Sequence, residues 1–358
     1  MLFRSPDAIA ETTFADRNVI VASKSGSTLE TSMLLEFALA RGLEPQDLLV
    51  ISDPGTPLAE RGYELGAIVF ESDVNTGGRF SALSPFGLVP AIYMGYSIDE
   101  LQSLMNANAA TIELVTTAVR DAANIFHGSN PSLRTLTLDG DPLIHGSAMW
   151  LEQLIAETTG KNGVGFVPIN GARTNANPLL HIMHWQIVAA TLALLLGNDP
   201  FDQPDVEAAK RNVQSILQNP ESNPAEEINT ESLWHSLNTC TYVTLQAYAP
   251  LQSASQLKSL RDALAQTPLV VTAGLGPQYL HSTGQLHKGG PAGLVAIQII
   301  QRSISAELSY PNAKCSFQDL HSAQSRGDAK AMIDAGCQVW RIEVESLSQV
   351  SSLLGIEA

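Results

Sequence analysis

Between Asn18 and Phe70, short apolar runs alternate with helix-patterned stretches and glycine turns, and this rhythm limits the fold more than any other feature of the chain. Asn18 to Ser23 (NVIVAS) is an apolar run that ends in polar residues and glycine, the pattern of a strand buried on both faces. From Thr28 to Arg41 the apolar positions Met33, Leu34, Phe37 and Ala38 recur at helical spacing, and Gly42 stands where a helix-ending glycine belongs. Leu48 to Ser52 predicts a second strand, Leu58 to Gly62 a short helix after a Pro/Gly turn, and Ala67 to Phe70 a third strand. Strands joined by helical crossovers imply a parallel sheet covered by helices.

The rest of the chain repeats this plan. Leu101 to Ile125 predicts one long connecting helix. Strands are then expected at Leu133 to Leu138 and Gly163 to Ile169, with a helix from His145 to Thr159 between them. Pro178 to Leu196 and Pro204 to Leu217 predict helices, the first strongly apolar. Strands near Tyr242 to Gln246, Leu269 to Ala273, Leu294 to Ile300 and Val339 to Val344 alternate with helices near Leu251 to Gln266 and Phe317 to Ala335. With 358 residues, two α/β domains are expected, 1–125 and 126–358, the second with a helical insertion.

Composition narrows the function classes. Acidic residues outnumber basic ones 36 to 20, for a net charge of −16, which argues against nucleic acid as a partner. An anionic small molecule would have to be drawn in by a local positive site against the global field. The longest apolar run, Ile187 to Leu196, is too short to span a bilayer, and its helix suits a core or a homodimer interface. The opening MLFRSPDAIAE turns acidic too early for a signal peptide. Cys240, Cys315 and Cys337 lack metal or disulfide spacing, as expected of free thiols in the cytoplasm.

Several segments carry candidate chemistry. Ser23-Lys24-Ser25-Gly26-Ser27-Thr28 joins a strand to a helix, so free N–H groups, the helix dipole and four hydroxyls meet at a glycine that allows close backbone approach. That arrangement suits a phosphate, although Ser and Thr also serve as plain helix caps. After the third strand, Gly77-Gly78-Arg79 offers a permanent charge on a freed backbone, or simply a surface arginine. Glu152 and Glu157 share one helix; either is a candidate carboxylate base or a solvated helix residue. Gln203 and Lys210 are seven apart, two helical turns, and Asp202, Pro204 and Asp205 suit a helix start. His281 and His287 are candidates for proton transfer near neutral pH. No His, Asp or Cys cluster has ligand spacing, so neither a metal nor an organic cofactor is called for.

SKSGSTLET, GGRFSALSPFGLVP, EQLIAETTGKNGVGFVPI and NDPFDQPDVEAAK resemble segments of the glucose-6-phosphate isomerase family. LHSTGQLHKGGP and FQDLHSAQSRGDAKAMIDAG are similar to the isomerase half of fused transaldolase/glucose-6-phosphate isomerases. The resemblance implies two sugar-isomerase (SIS) domains of three-layer αβα form. It implies an aldose–ketose isomerase of glycolysis and gluconeogenesis acting on a phosphorylated hexose through an enediolate. It assigns phosphate binding to Ser23, Ser25 and Thr28, aided by the backbone around Lys24 and Gly26, with Ser27 also among the substrate-binding residues. Arg79, with Gly78, would steady the enediolate; Glu157 would move the proton; Gln203 would touch the sugar; Lys210 and His281, with His287 in reserve, would open the ring. In the ordinary enzymes the histidine precedes the lysine, whereas here it follows. The resemblance also implies an upstream strand ending in a GxGGSS-like turn, which this chain lacks, and a transaldolase portion that is absent. A sugar-phosphate-binding module without catalysis, or an inactive fragment, is the alternative reading.

Overall fold

The computed structural model describes residues 9, 12–15, 17–171, 181–204, 213, 216–217, 226–227, 230–301, 310, 313 and 315–356. The chain divides into two compact units. The first comprises residues 1–110, 178–183 and 307–317, and the second comprises 111–177, 184–306 and 318–358.

The first unit holds a three-stranded parallel sheet, ordered β1 (Val19–Ala22), β2 (Leu48–Ser52), β3 (Ile68–Glu71). Every residue of β2 is buried, because its two faces are both covered, as a parallel sheet requires. On one face Leu49 and Ile51 pack with Val89 and Phe86 of α3 (Pro85–Tyr93). On the other face α2 (Pro57–Leu65) comes so close that a side chain at Gly62 would meet Val69 and Val50 at 2.8 and 3.0 Å. Local sequence sets the ends of α2. Thr56 Oγ1 accepts from Ala59 N, Pro57 opens the first turn, and Gly66 closes the helix in the left-handed region. Helix α1 (Leu29–Ala40) buries Met33, Leu35, Phe37 and Ala38.

The expected single connector is two helices, α4 (Ile98–Ala107) and α5 (Ile112–Gly128). Asn108 Nδ2 donates to the carbonyl of Leu104 as α4 ends. Thr111 then caps α5 by accepting from Leu114 N. A side chain that competes for backbone bonds at the first site and a fresh cap at the second explain the break.

The second unit contains a five-stranded parallel sheet, ordered β6 (Glu226–Glu227), β10 (Gln338–Val344), β9 (Leu294–Gln301), β7 (Tyr242–Tyr248), β8 (Val271–Leu275). A separate parallel pair is formed by β4 (Arg134–Thr137) and β5 (Phe166–Ile169). Alternation along the strands shows both faces covered. Val243, Leu245, Val295, Ile297 and Ile342 pack against Leu257 and Leu260 of the helix Ala254–Leu264 and against Leu233 and Val350. The opposite face meets Ala156 of α6 (Gly146–Thr159), Leu286, and Ala329 and Met332 of the helix Phe317–Asp334. This is a helix–sheet–helix sandwich. Each unit is α/β with parallel strands flanked by helices, as the sequence pattern implies. No helix among the described residues is long and apolar enough to cross a membrane.

Candidate active site

In the first unit the turns that leave the three parallel strands meet at their carboxyl ends, the usual place for a ligand crevice in such sheets. Lys24 links all three. Its Nζ donates to Asp53 Oδ1 and Oδ2 at 2.6 and 2.7 Å and to the carbonyl of Asp73 at 2.8 Å. Ser52 Oγ donates to Ser23 O at 2.7 Å. The lysine charge is therefore matched by Asp53, and Lys24 braces the turn instead of offering an unpaired cation.

Gly26 has φ +60°, and a side chain there would meet Thr56 Cβ at 2.5 Å and Leu58 N at 3.0 Å. The turn thus needs glycine both for its backbone and for contact with α2. Thr28 stands at the N-cap of α1 yet makes no side-chain cap. Its Oγ1 instead pairs with Ser23 Oγ at 3.0 Å. Ser25 Oγ accepts from Ser27 Oγ at 3.0 Å. The plain-cap reading of Thr28 does not describe this turn; its hydroxyls bond to one another, and Ser25 and Ser27 stay exposed. A helix start with clustered hydroxyls and no side-chain cap from Thr28 is equipped to take an anion.

Arg79 follows β3 in a tight turn spanning Gly78–Leu83. It is 3 % exposed, so it is not a surface arginine. Its guanidinium lies 5.3 Å from the Phe80 ring, and Gly78 O accepts from Ser81 Oγ at 2.6 Å. Among the described residues, and chain neighbours aside, no atom lies within 4 Å of where a Gly78 side chain would project.

In the second unit three motif-bearing segments touch one another. Helix α6 carries both candidate glutamates, and both are buried. Gln153 Nε2 donates to Glu157 Oε2 at 3.3 Å. Glu152 is hydrogen-bonded to the side chain of Ser282, next to His281; burial, with a lesser push from Asp141, raises its carboxyl to about 8. Glu152 is thus a neutral, hydrogen-bonding acid at neutral pH. Neither glutamate is a solvated helix residue.

The turn that ends α6 is a junction. Gln285 Nε2 donates to Gly160 O at 3.0 Å, and Gly163 N donates to Gly289 O at 2.9 Å. Side chains at Gly160 and Gly165 would strike Leu286 atoms at 2.6 and 2.9 Å. These bonds and contacts tie the α6 end to the helix Gly284–Gly289. On its other side, Asn198 Nδ2 donates to Thr159 O at 3.0 Å and Lys161 O at 3.3 Å, and Asn162 Nδ2 donates to Asn198 Oδ1 at 2.8 Å. The loop so held leads to Gln203, which is exposed. Lys210 lies outside the described residues.

The two histidines differ in setting. His281 is half-buried at the end of the turn Gln278–His281. His287 is buried, its Nδ1 paired with Gln246 Nε2 at 3.1 Å. Burial, aided by the nearby Lys288 charge, lowers its pKa to about 3, so the ring is neutral at physiological pH. It belongs to a buried polar cluster in which Tyr279 Oη donates to Asp328 Oδ2 at 2.9 Å and Lys288 Nζ to Asp328 Oδ1 at 2.6 Å. That cluster anchors the His281–Lys288 segment to the sheet face.

Sequence reasoning missed the braces: Asp53 and Asp73 on Lys24, Ser282 on Glu152, and Lys161 on the 199–202 loop. One signal was present. The Asn162-Gly163 pair marks a turn with positive φ, and Asn162 has φ 55°.

The geometry defines a class: α/β units with parallel sheets between helices, whose polar, glycine-rich segments gather at strand ends and helix ends. Comparison with known proteins narrows it. No protein-family model matches the chain. It is 32 % identical over 180 residues to the glucose-6-phosphate isomerase of Campylobacter jejuni, covering 46 % of this chain and 43 % of that protein. Glucose-6-phosphate isomerases of Rubrobacter xylanophilus and Parabacteroides distasonis match at 32 % over 174 and 30 % over 172 residues, 42 % of this chain in each case and 38 % and 37 % of theirs. Over the matched part of its length, the chain is related to the glucose-6-phosphate isomerase family. It spans about two fifths of the length of these curated relatives.

Proposed function

We propose that the chain is an aldose–ketose isomerase acting on glucose 6-phosphate and fructose 6-phosphate, built from sugar-isomerase domains over 1–125 and 126–358. In this reading the Ser23–Thr28 turn holds the phosphate through the Ser23, Ser25, Ser27 and Thr28 hydroxyls and the backbone at Lys24 and Gly26. Glu157 carries a proton between C1 and C2, and Arg79, beside Gly78, offsets the negative charge of the enediolate. His281 and Lys210 assist ring opening, and Gln203 contacts the sugar. His287 sets the His281 segment through its bond to Gln246.

The observation that carries the reading is the meeting of the Glu157, Gln203 and His281 segments around the end of α6. These segments are dispersed in sequence, and the second unit brings them together. The test is turnover of fructose 6-phosphate by the purified chain in a coupled assay. Formation of glucose 6-phosphate is expected. Binding without turnover would favour a non-catalytic sugar-phosphate module, and absence of both would overturn the proposal.

A further inference from the structure

Lys161 is unusual chemistry for a glycine turn. Its side chain is 1 % exposed, although lysine is among the residues least often buried unless paired. It lies four residues beyond Glu157, just after the end of α6. Its Nζ donates to Asp202 Oδ1 at 2.6 Å and also to the carbonyl of Asp199. Gln203 is the next residue. Asn198 adds its own bonds to Thr159 O and Lys161 O. The loop is therefore fixed at its start by Asn198 and near its end by Asp202, both to the turn that closes the Glu157 helix. Burying a cation is costly unless it is paired and hydrogen-bonded, and here Asp202 and the Asp199 carbonyl do both.

We infer that Lys161 is a positioning residue, setting Gln203 against the sugar while taking no part in proton transfer. The inference rests on the isomerase reading. In mechanism, the buried ammonium fixes the Asp199–Asp202 backbone, and the fixed backbone limits the swing of Gln203. A displacement of about 1 Å is enough to lower a rate on the order of 100-fold. The role differs from a general contribution to stability, which would act on every step alike.

A double-mutant cycle separates the two. Lys161→Met, Gln203→Ala and the pair are compared for kcat/KM on fructose 6-phosphate, or for its Kd by calorimetry if the chain binds without turnover. Asp202→Asn serves as a second route to the same release. Asp202 is 53 % exposed, so this variant keeps the fold if Lys161→Met does not. Each single change is expected to lower kcat/KM by about 10- to 100-fold, and the double variant by no more than about 3-fold beyond the larger single loss. Faster amide exchange across 198–204, with exchange in Leu29–Ala40 unchanged, is expected in Lys161→Met and Asp202→Asn. Additive losses with unchanged exchange in 198–204 would overturn the inference and leave the isomerase reading standing. A wild-type chain that neither binds nor turns over fructose 6-phosphate would overturn that reading, and the inference with it.

Discussion

Replacing Gly26 by alanine tests whether the hydroxyl turn is built for contact or merely tolerates it. Two costs are read from the structure. At φ +60° an alanine meets the left-handed penalty of roughly 1–2 kcal/mol. The new methyl would also lie 2.5 Å from Thr56 Cβ and 2.6 Å from Thr56 Oγ1. Thr56 has little room to give way. Its hydroxyl pairs with Ser52 Oγ at 2.6 Å, donates to Asp53 O at 2.9 Å and caps α2 through Ala59 N. Overpacking of this kind costs about 1–3 kcal/mol. Gly26→Ala is therefore expected to lose about 2–5 kcal/mol locally. Gly55→Ala is the control: its φ is +69° and, chain neighbours aside, no described residue lies within 4 Å of the added methyl, so only about 1–2 kcal/mol is expected. Native-state hydrogen exchange in the peptide spanning 19–30 and in that spanning 48–60 reads the two losses. Gly26→Ala should also abolish inorganic phosphate binding measured by calorimetry. Losses equal within about 0.5 kcal/mol would refute the contact argument, because only the backbone penalty would then be at work.

Three further outcomes follow from buried ionisable groups. Arg261 donates to both oxygens of Asp141 at 2.8 and 2.6 Å, with side chains 3 % and 7 % exposed, so Arg261→Met should cost about 3–5 kcal/mol in urea unfolding, and Asp141→Leu added to it should recover most of that. Burial alone would raise the Asp141 carboxyl, but the Arg261 hydrogen bonds and charge leave it below its ordinary value; its contribution is then fully present above about pH 4–5 and lost as pH falls through the depressed value, a loss absent in Asp141→Leu. Glu152 runs the other way: raised by burial to about 8 from 4.5, it makes the fold bind a proton, so stability declines between about pH 5 and 8 by on the order of 4 kcal/mol, and Glu152→Gln should flatten that slope in urea midpoints taken at both ends. His287, lowered to about 3, should stay neutral in an NMR titration down to pH 5, with acid-side stability lost as pH falls from about 6.5 toward 3.

The strands were legible because covered parallel strands advertise themselves as apolar runs: Leu48–Ser52 is recovered residue for residue, entirely buried. The break near Asn108–Thr111 was not, since the apolar spacing continues across it and only capping side chains mark it. In β7, Thr244 and Gln246 are as buried as Leu245, so polar residues under the His287 segment looked like ordinary variation. The hydroxyl turn was legible from its own residues. Its braces were not, because Asp53 and Asp73 lie 29 and 49 residues from Lys24 and only the parallel order brings them together. Lys161 was hidden for a related reason: a lysine between glycine and asparagine reads as solvated until Asp202, 41 residues on, is seen to hold it.

Isotope transfer in heavy water speaks most directly to the role given to Glu157. With fructose 6-phosphate in D2O, the wild-type chain is expected to deliver glucose 6-phosphate that carries deuterium at C2 in the fraction of turnovers in which the protonated Glu157 exchanges with solvent before returning its proton, and Glu157→Gln to bind the sugar equally well while slowing that conversion by about 100- to 10,000-fold. A Glu157→Gln chain that labels C2 at the wild-type rate would mean that some other group moves the proton.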